Sequence, residues 1–88
     1  MYEQKVVLEN EAGLHARPAS LFIQRASSYK SDIHLVKDST RYNGKSIISV
    51  LSLGAKKGVE ITIQGDGDDE KEAVMSLVQL VQSRFGEK

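Results

Sequence analysis

His15 and Arg17 stand two residues apart in the stretch Ala12-Gly13-Leu14-His15-Ala16-Arg17-Pro18-Ala19, and that pairing suits chemistry on a phosphate. A neutral imidazole offers a lone pair for attack on phosphorus. A guanidinium forks onto phosphate oxygens through parallel N–H donors. Gly13 lets the backbone turn tightly ahead of the histidine. Pro18 fits the first turn of a helix, where a missing N–H costs nothing, and it biases Arg17 away from helical angles. A helix starting here presents its first amides, and the positive end of its dipole, to an anion. Ala16, Arg17 and Pro18 are therefore the expected phosphate seat, and phosphoryl transfer to and from His15 is the expected chemistry. The residues alone also leave open a plainer reading, in which His15 merely caps or packs at a helix end.

The other candidates weigh less. His34 alternates with Ile33 and Leu35, which places it on the wet side of a strand as a surface histidine. No cysteine is present, so disulfides and thiolate metal sites are excluded. No metal site is assigned, and the acidic run Asp66 to Glu72 lacks the spacing of a calcium loop. No serine sits in a nucleophile elbow. A Walker loop is absent, so no nucleotide cofactor is expected. Lys45-Ser46 has two compatible readings. Ser46 stands where a helix N-cap belongs, and it is also a candidate for regulatory phosphorylation, with Lys45 as a local counter-charge.

The elements that must hold these residues follow from hydropathy patterning. Glu3 to Leu8 reads as a strand, and Glu9 to Gly13 as a polar loop closed by glycine. From about Ala16 to Ser28, the residues Ala19, Phe22, Ile23 and Ala26 line one helical face. Asp32 to Lys37 and Thr40 to Tyr42 form a hairpin about a turn at Asp38-Ser39. Ile47, Val50 and Leu51 give a short helix its apolar stripe, ended by Gly54. Should Ile48 or Leu51 emerge from that helix, it becomes an apolar docking patch close to His15. Val59, Ile61 and Ile63 alternate with polar residues as a half-buried strand. Asp69 and Glu72 have capping-box spacing ahead of a last helix, whose stripe Val74, Leu77, Val78, Val81 and Phe85 runs to a basic last turn and stop at Arg84 and Gly86.

The order is β-α-β-β-α-β-α, an α+β chain best satisfied by one antiparallel sheet with its helices on one face. At 88 residues, 40% hydrophobic and 27% charged, residues 1–88 are expected to form a single soluble domain. Formal net charge is zero, so no overall field favours nucleic acid or acidic lipid. Without an apolar run long enough to span a bilayer or a leader-like start, the cytoplasm is the default location and no membrane insertion is expected.

The motif Gly13-Leu14-His15-Ala16-Arg17-Pro18-Ala19, with Lys45-Ser46-Ile47 and Ser52-Leu53-Gly54, resembles the HPr family of the Gram-positive type. These are the histidine-containing phosphocarriers of the bacterial phosphoenolpyruvate:sugar phosphotransferase system. The resemblance covers nearly the whole chain. It implies an open-faced β-sandwich, a four-stranded antiparallel sheet with three helices on one side. It also implies a carrier rather than a self-standing enzyme. Enzyme I would pass a phosphoryl group to Nδ1 of His15, beside Arg17, and the IIA units of sugar permeases would receive it. It further implies a kinase/phosphorylase acting on Ser46 and a catabolite repressor as partners. The paralogue devoted to catabolite repression has another residue in place of the histidine, so His15 favours a working carrier. Ile47, Ile48 and Leu51 would be the partner-binding patch, although Ile48-Ser49-Val50-Leu51 gives it a different shape from the Met-Gly-Val-Met usual at this point.

Overall fold

Alternating apolar residues dictate the central layer. In the computed structural model, which describes residues 1–86, the strands are β1 (Tyr2–Val7), β2 (Asp32–Lys37), β3 (Thr40–Asn43) and β4 (Glu60–Asp66). They form one antiparallel sheet in the order β1-β4-β2-β3. The register sets Val6 opposite Ile61, and Leu35 opposite Ile63. These four, with Ile33, are almost fully buried.

Three helices cover that face: α1 (Ala16–Ser27), α2 (Ile47–Ser52) and α3 (Glu70–Gln82), the last followed by a short 3-10 turn, Arg84–Gly86. Helix α1 contributes Ala19, Phe22 and Ala26 to the core, and α3 contributes Ala73, Val74, Leu77, Val78, Leu80 and Val81. Burying these stripes is what makes short helices stable in water. The element order and the open sheet are those expected from the sequence.

The uncovered face of the sheet is polar. Gln64 Nε2 donates to Glu3 Oε1 at 2.9 Å, Arg41 Nε donates to Gln64 Oε1 at 3.2 Å, and Arg41 Nη2 meets His34 Nδ1 at 3.1 Å. His34 therefore lies on the wet side, as the alternation predicts, within a polar row that crosses all four strands.

Several local expectations are corrected. Arg17 is helical despite preceding a proline, because Pro18 falls in the first turn, where its ring meets no earlier turn of helix. Asp69 does not form a capping box with Glu72. Its carboxylate leaves its own helix end and accepts from the Lys30 amide at 2.9 Å, the Ser31 amide at 2.9 Å and the Ser31 hydroxyl. Helix α3 ends at Gln82, ahead of Arg84, and Arg84 and Phe85 then take left-handed angles, with φ of 59° and 55°. Phe85 is still buried, so tertiary packing overrides the helical continuation. In α2 only Val50 is buried; Ile47 and Leu51 are 41% and 42% exposed, and Ile48 is 75% exposed. The Lys45 ammonium is not idle beside Ser46, since Nζ donates to the Tyr29 carbonyl at 2.8 Å.

The Asp38-Ser39 turn is a two-residue hairpin loop in which both residues have positive φ, 51° and 67°. That is the backbone sense that matches strand twist. Among the described residues, no helix is long and apolar enough to cross a membrane.

Candidate phosphoryl-transfer site

The segment leading to His15 is held by contacts between two loops. Leu8 donates to the Val59 carbonyl at 3.0 Å, and Gly58 donates back to the Leu8 carbonyl at 2.7 Å. The chain then turns. The Gly13 amide donates to the Asn10 carbonyl at 3.1 Å, while the buried Asn10 side-chain amide donates to the Gly13 carbonyl at 2.8 Å. Gly13 has φ of +59°, and a Cβ on it would stand 2.5 Å from the Ala55 carbonyl oxygen and 2.8 Å from Lys56 Cα. Conformation and space both demand glycine there. Leu14 follows, 3% exposed, and anchors the turn in the core.

His15 emerges from this bracket as the N-cap residue of α1, extended at φ −81° and ψ −173°. Its carbonyl accepts the first helical bond, from Ala19 at 2.9 Å. Its ring makes no side-chain capping bond and the residue is exposed. The helix end therefore does not use the imidazole, which disfavours the plain capping reading.

Ala16 and Arg17 are also exposed, while Pro18 is buried. Their amides precede the first intrahelical bond, where the helix dipole favours an anion. Pro18 has no amide to donate, so its part is to fix the first turn. No acidic residue lies in that turn to compete for the site. Among the described residues, no cluster of three histidine, cysteine, aspartate or glutamate side chains could hold a metal. Phosphoryl chemistry in such a place is electrostatic positioning around a nucleophile.

Ser46 is the N-cap of α2. Its Oγ accepts from the Ser49 amide at 3.4 Å, and its own amide donates to the Asn43 carbonyl at 3.3 Å. The residue is half-buried. Lys37 Nζ donates to the Leu53 carbonyl at the other end of α2, at 3.2 Å. Ile47, Ile48 and Leu51 leave that helix as an exposed apolar patch. The Leu14 amide donates to the Ala55 carbonyl at 3.0 Å, which ties the loop after α2 to the residue preceding His15. Sequence reasoning missed Asn10, Ala55 and the exposed pair between Glu11 and Lys57, at 2.8 Å. The spacing of Asn10 and Gly13 is a turn signal that could have found the first of these.

An open-faced α+β sandwich that presents a histidine at the start of its first helix defines the class of small histidine-bearing carriers. A family model described as "PTS HPr component phosphorylation site" matches residues 2–83. The Phosphocarrier protein HPr of Neisseria meningitidis is 42% identical over 87 residues, covering 99% of this chain and 98% of that protein. The HPr-like protein Crh of Bacillus subtilis is 44% identical over 82 residues, covering 93% of this chain and 96% of that one. The crystal structure of HPr-C-His from Thermoanaerobacter tengcongensis superposes with a TM-score of 0.97 at 45% identity, covering 100% of this chain and 99% of that chain. The chain belongs to the HPr family, the phosphocarriers of the phosphotransferase system, and is of the Gram-positive type.

Proposed function

We propose that His15 accepts a phosphoryl group on Nδ1 from phosphorylated enzyme I and hands it to the IIA units of sugar permeases. The observation that carries this reading is the exposed imidazole, unused by the fold, at the first turn of α1. In the forward step the Nδ1 lone pair forms the N–P bond as the bond from phosphorus to the donor breaks. The acceptor protein then reverses that exchange. Ala16 and Arg17 steady the phosphoryl oxygens through amides and a guanidinium, and Pro18 holds the turn that aims them. The chain acts as a carrier without cofactor, metal or nucleic acid, not as a self-standing enzyme. It works in the cytoplasm without entering the membrane, and residues 1–88 act as one domain around one core. Incubation with enzyme I and phosphoenolpyruvate is expected to give an acid-labile, alkali-stable phosphate that His15→Ala abolishes. An unlabelled wild-type chain beside a competent control overturns the reading.

A second layer concerns Ser46. The 3.4 Å capping bond is long, so phosphorylation would sacrifice little while adding about two negative charges at a helix start. We read Ser46 as the target of an HPr kinase/phosphorylase that lowers enzyme I transfer and favours a catabolite repressor. Ile47, Ile48 and Leu51 would be the apolar contact for these partners. Ser46→Asp is expected to slow enzyme I transfer while leaving thermal stability nearly unchanged. Normal transfer by this variant, together with a kinase that leaves Ser46 untouched, overturns this layer.

A further inference from the structure

The chain has two asparagines, Asn10 and Asn43, and only Asn43 is followed by glycine. That pair is intrinsically labile, because no Cβ on the second residue keeps its nitrogen from the carboxamide carbon of the first. Packing demands the glycine. A Cβ at position 44 would stand 2.6 Å from Ile33 Cγ2 and 3.1 Å from the Ile33 carbonyl oxygen, and a β-branched side chain has little freedom to yield. Gly44 is buried in that contact, whereas Asn43, the last residue of β3 and opposite His34, is exposed.

Hydrogen bonds treat the two halves of the pair in opposite ways. The Gly44 amide donates to the Ile33 carbonyl at 2.7 Å, which holds the proton on that nitrogen and fixes it toward the neighbouring strand. Breaking the bond in place would leave a buried donor unpaired. The Asn43 Oδ1 accepts from the Lys45 amide at 2.9 Å, a donor that draws electron density from Cγ and stabilises negative charge developing on that oxygen. The electrophile is thus primed and open to water while the nucleophile is withheld. Asn43 also carries structure, since its main-chain carbonyl accepts from the Ser46 amide at 3.3 Å, just ahead of α2.

We propose that Asn43 is a fold-gated deamidation site, silent while the Gly44–Ile33 bond is closed and modified when that open end of the β2–β3 hairpin separates. On opening, the Gly44 nitrogen bonds to Asn43 Cγ and the Cγ–Nδ2 bond breaks. The proton of the attacking nitrogen leaves with Nδ2 as ammonia. Water then opens the resulting succinimide at either carbonyl. One product is aspartate; the other is isoaspartate, in which the main chain runs through Cβ and Cγ. Neither reverts on refolding, so the chain keeps a covalent record of having opened. Aspartate preserves the acceptor for the Lys45 amide. Isoaspartate adds a methylene between β3 and α2 and displaces the carbonyl that holds Ser46.

The test incubates the full-length chain at mildly alkaline pH, beside a synthetic peptide spanning Arg41 to Ser46 that sets the rate of the unrestrained pair. Peptide mapping by mass spectrometry follows aspartate and isoaspartate at position 43. Asn10, followed by Glu11, is the internal reference for a hindered pair. Conversion at Asn43 is expected to be at least about tenfold slower in the folded chain than in the peptide, and to rise with added urea in step with exchange of the Gly44 amide. Isolated isoaspartyl protein should show faster amide exchange in α2, whereas Asn43→Asp should exchange there as wild type does. Equal rates in the folded chain and the peptide, or protection that does not follow Gly44 exchange, overturns the inference. An isoaspartyl chain whose α2 exchanges like wild type overturns the consequence assigned to Ser46.

Discussion

The amide of Leu14 donates to the carbonyl of Ala55 at 3.0 Å, so the residue before the candidate phosphoryl acceptor is fixed to the loop that leaves α2. Gly13 permits that approach, since any side chain there collides with the same carbonyl. Gly13→Ala is therefore expected to destabilise the protein by about 3 kcal/mol, combining positive-φ strain with a backbone clash. Phosphorylation by enzyme I should slow even at temperatures where the variant remains folded. Denaturant unfolding and the transfer assay check the two effects separately.

Asp69 joins the start of α3 to Lys30 and Ser31, in the segment between α1 and β2. The Ser31 hydroxyl bond and the Lys30 amide bond, followed by that of Ser31, pull its carboxyl down to about 2. A carboxyl depressed in the folded state adds stability that is fully present above its unfolded value, about 3.9. That stability is lost as pH falls through the folded value. Thermal melts of wild type should accordingly drop between about pH 4 and pH 2. Asp69→Asn should lower the melting temperature at pH 7 and flatten the acid limb. An unchanged acid limb in that variant would show that other carboxylates govern it.

The regular parts of this fold were legible because they are local. Ile61 and Ile63 on β4, and Ala19, Phe22 and Ala26 on α1, reveal their faces through spacing alone. Asp69 was misread because its partners lie 38 and 39 positions away, while the capping pattern beside it is local. The end of α3 was misplaced for a similar reason. Burial of Phe85 requires a reversal that no propensity encodes. At the candidate site, His15, Arg17 and Gly13 are legible by residue type, whereas Asn10 and Ala55 matter only through the turn and the loop they meet.

Ser46 contributes one long capping bond. Ser46→Ala is expected to cost about 0.5–1 kcal/mol, the lower part of the range for N-cap loss. The helix concerned has only six residues, so amide exchange should rise first within α2 and leave the sheet protected. Chemical denaturation with hydrogen-exchange mass spectrometry measures both.

Arg17 is exposed on the first turn of α1, and substitution there should leave the core untouched. Arg17→Ala is expected to keep the fold while slowing transfer from enzyme I by about tenfold or more, because a charge-assisted donor to the phosphoryl oxygens is lost. Arg17→Lys should recover only part of the rate, since an ammonium cannot fork onto two oxygens. Transfer kinetics alongside melting curves distinguish this from unfolding. Equal rates in all three proteins would make the guanidinium a bystander.

Helix α2 divides stability and recognition between neighbouring residues. Val50 has no exposure and its side chain completes the core, whereas Ile48 is 75% exposed. Val50→Ala should cost about 2 kcal/mol through lost burial and a residual cavity. Ile48→Ser, removing an apolar group already in water, should change stability by no more than about 0.5 kcal/mol. The ranking reverses for binding, because an exposed apolar side chain gains burial only when a partner covers it. Titration with enzyme I should show weakened affinity for Ile48→Ser, and for Leu51→Ser, while Val50→Ala binds normally wherever it is folded. If Ile48→Ser and Leu51→Ser bind as wild type does, the patch is not a contact for that partner, and its exposure needs another occupant.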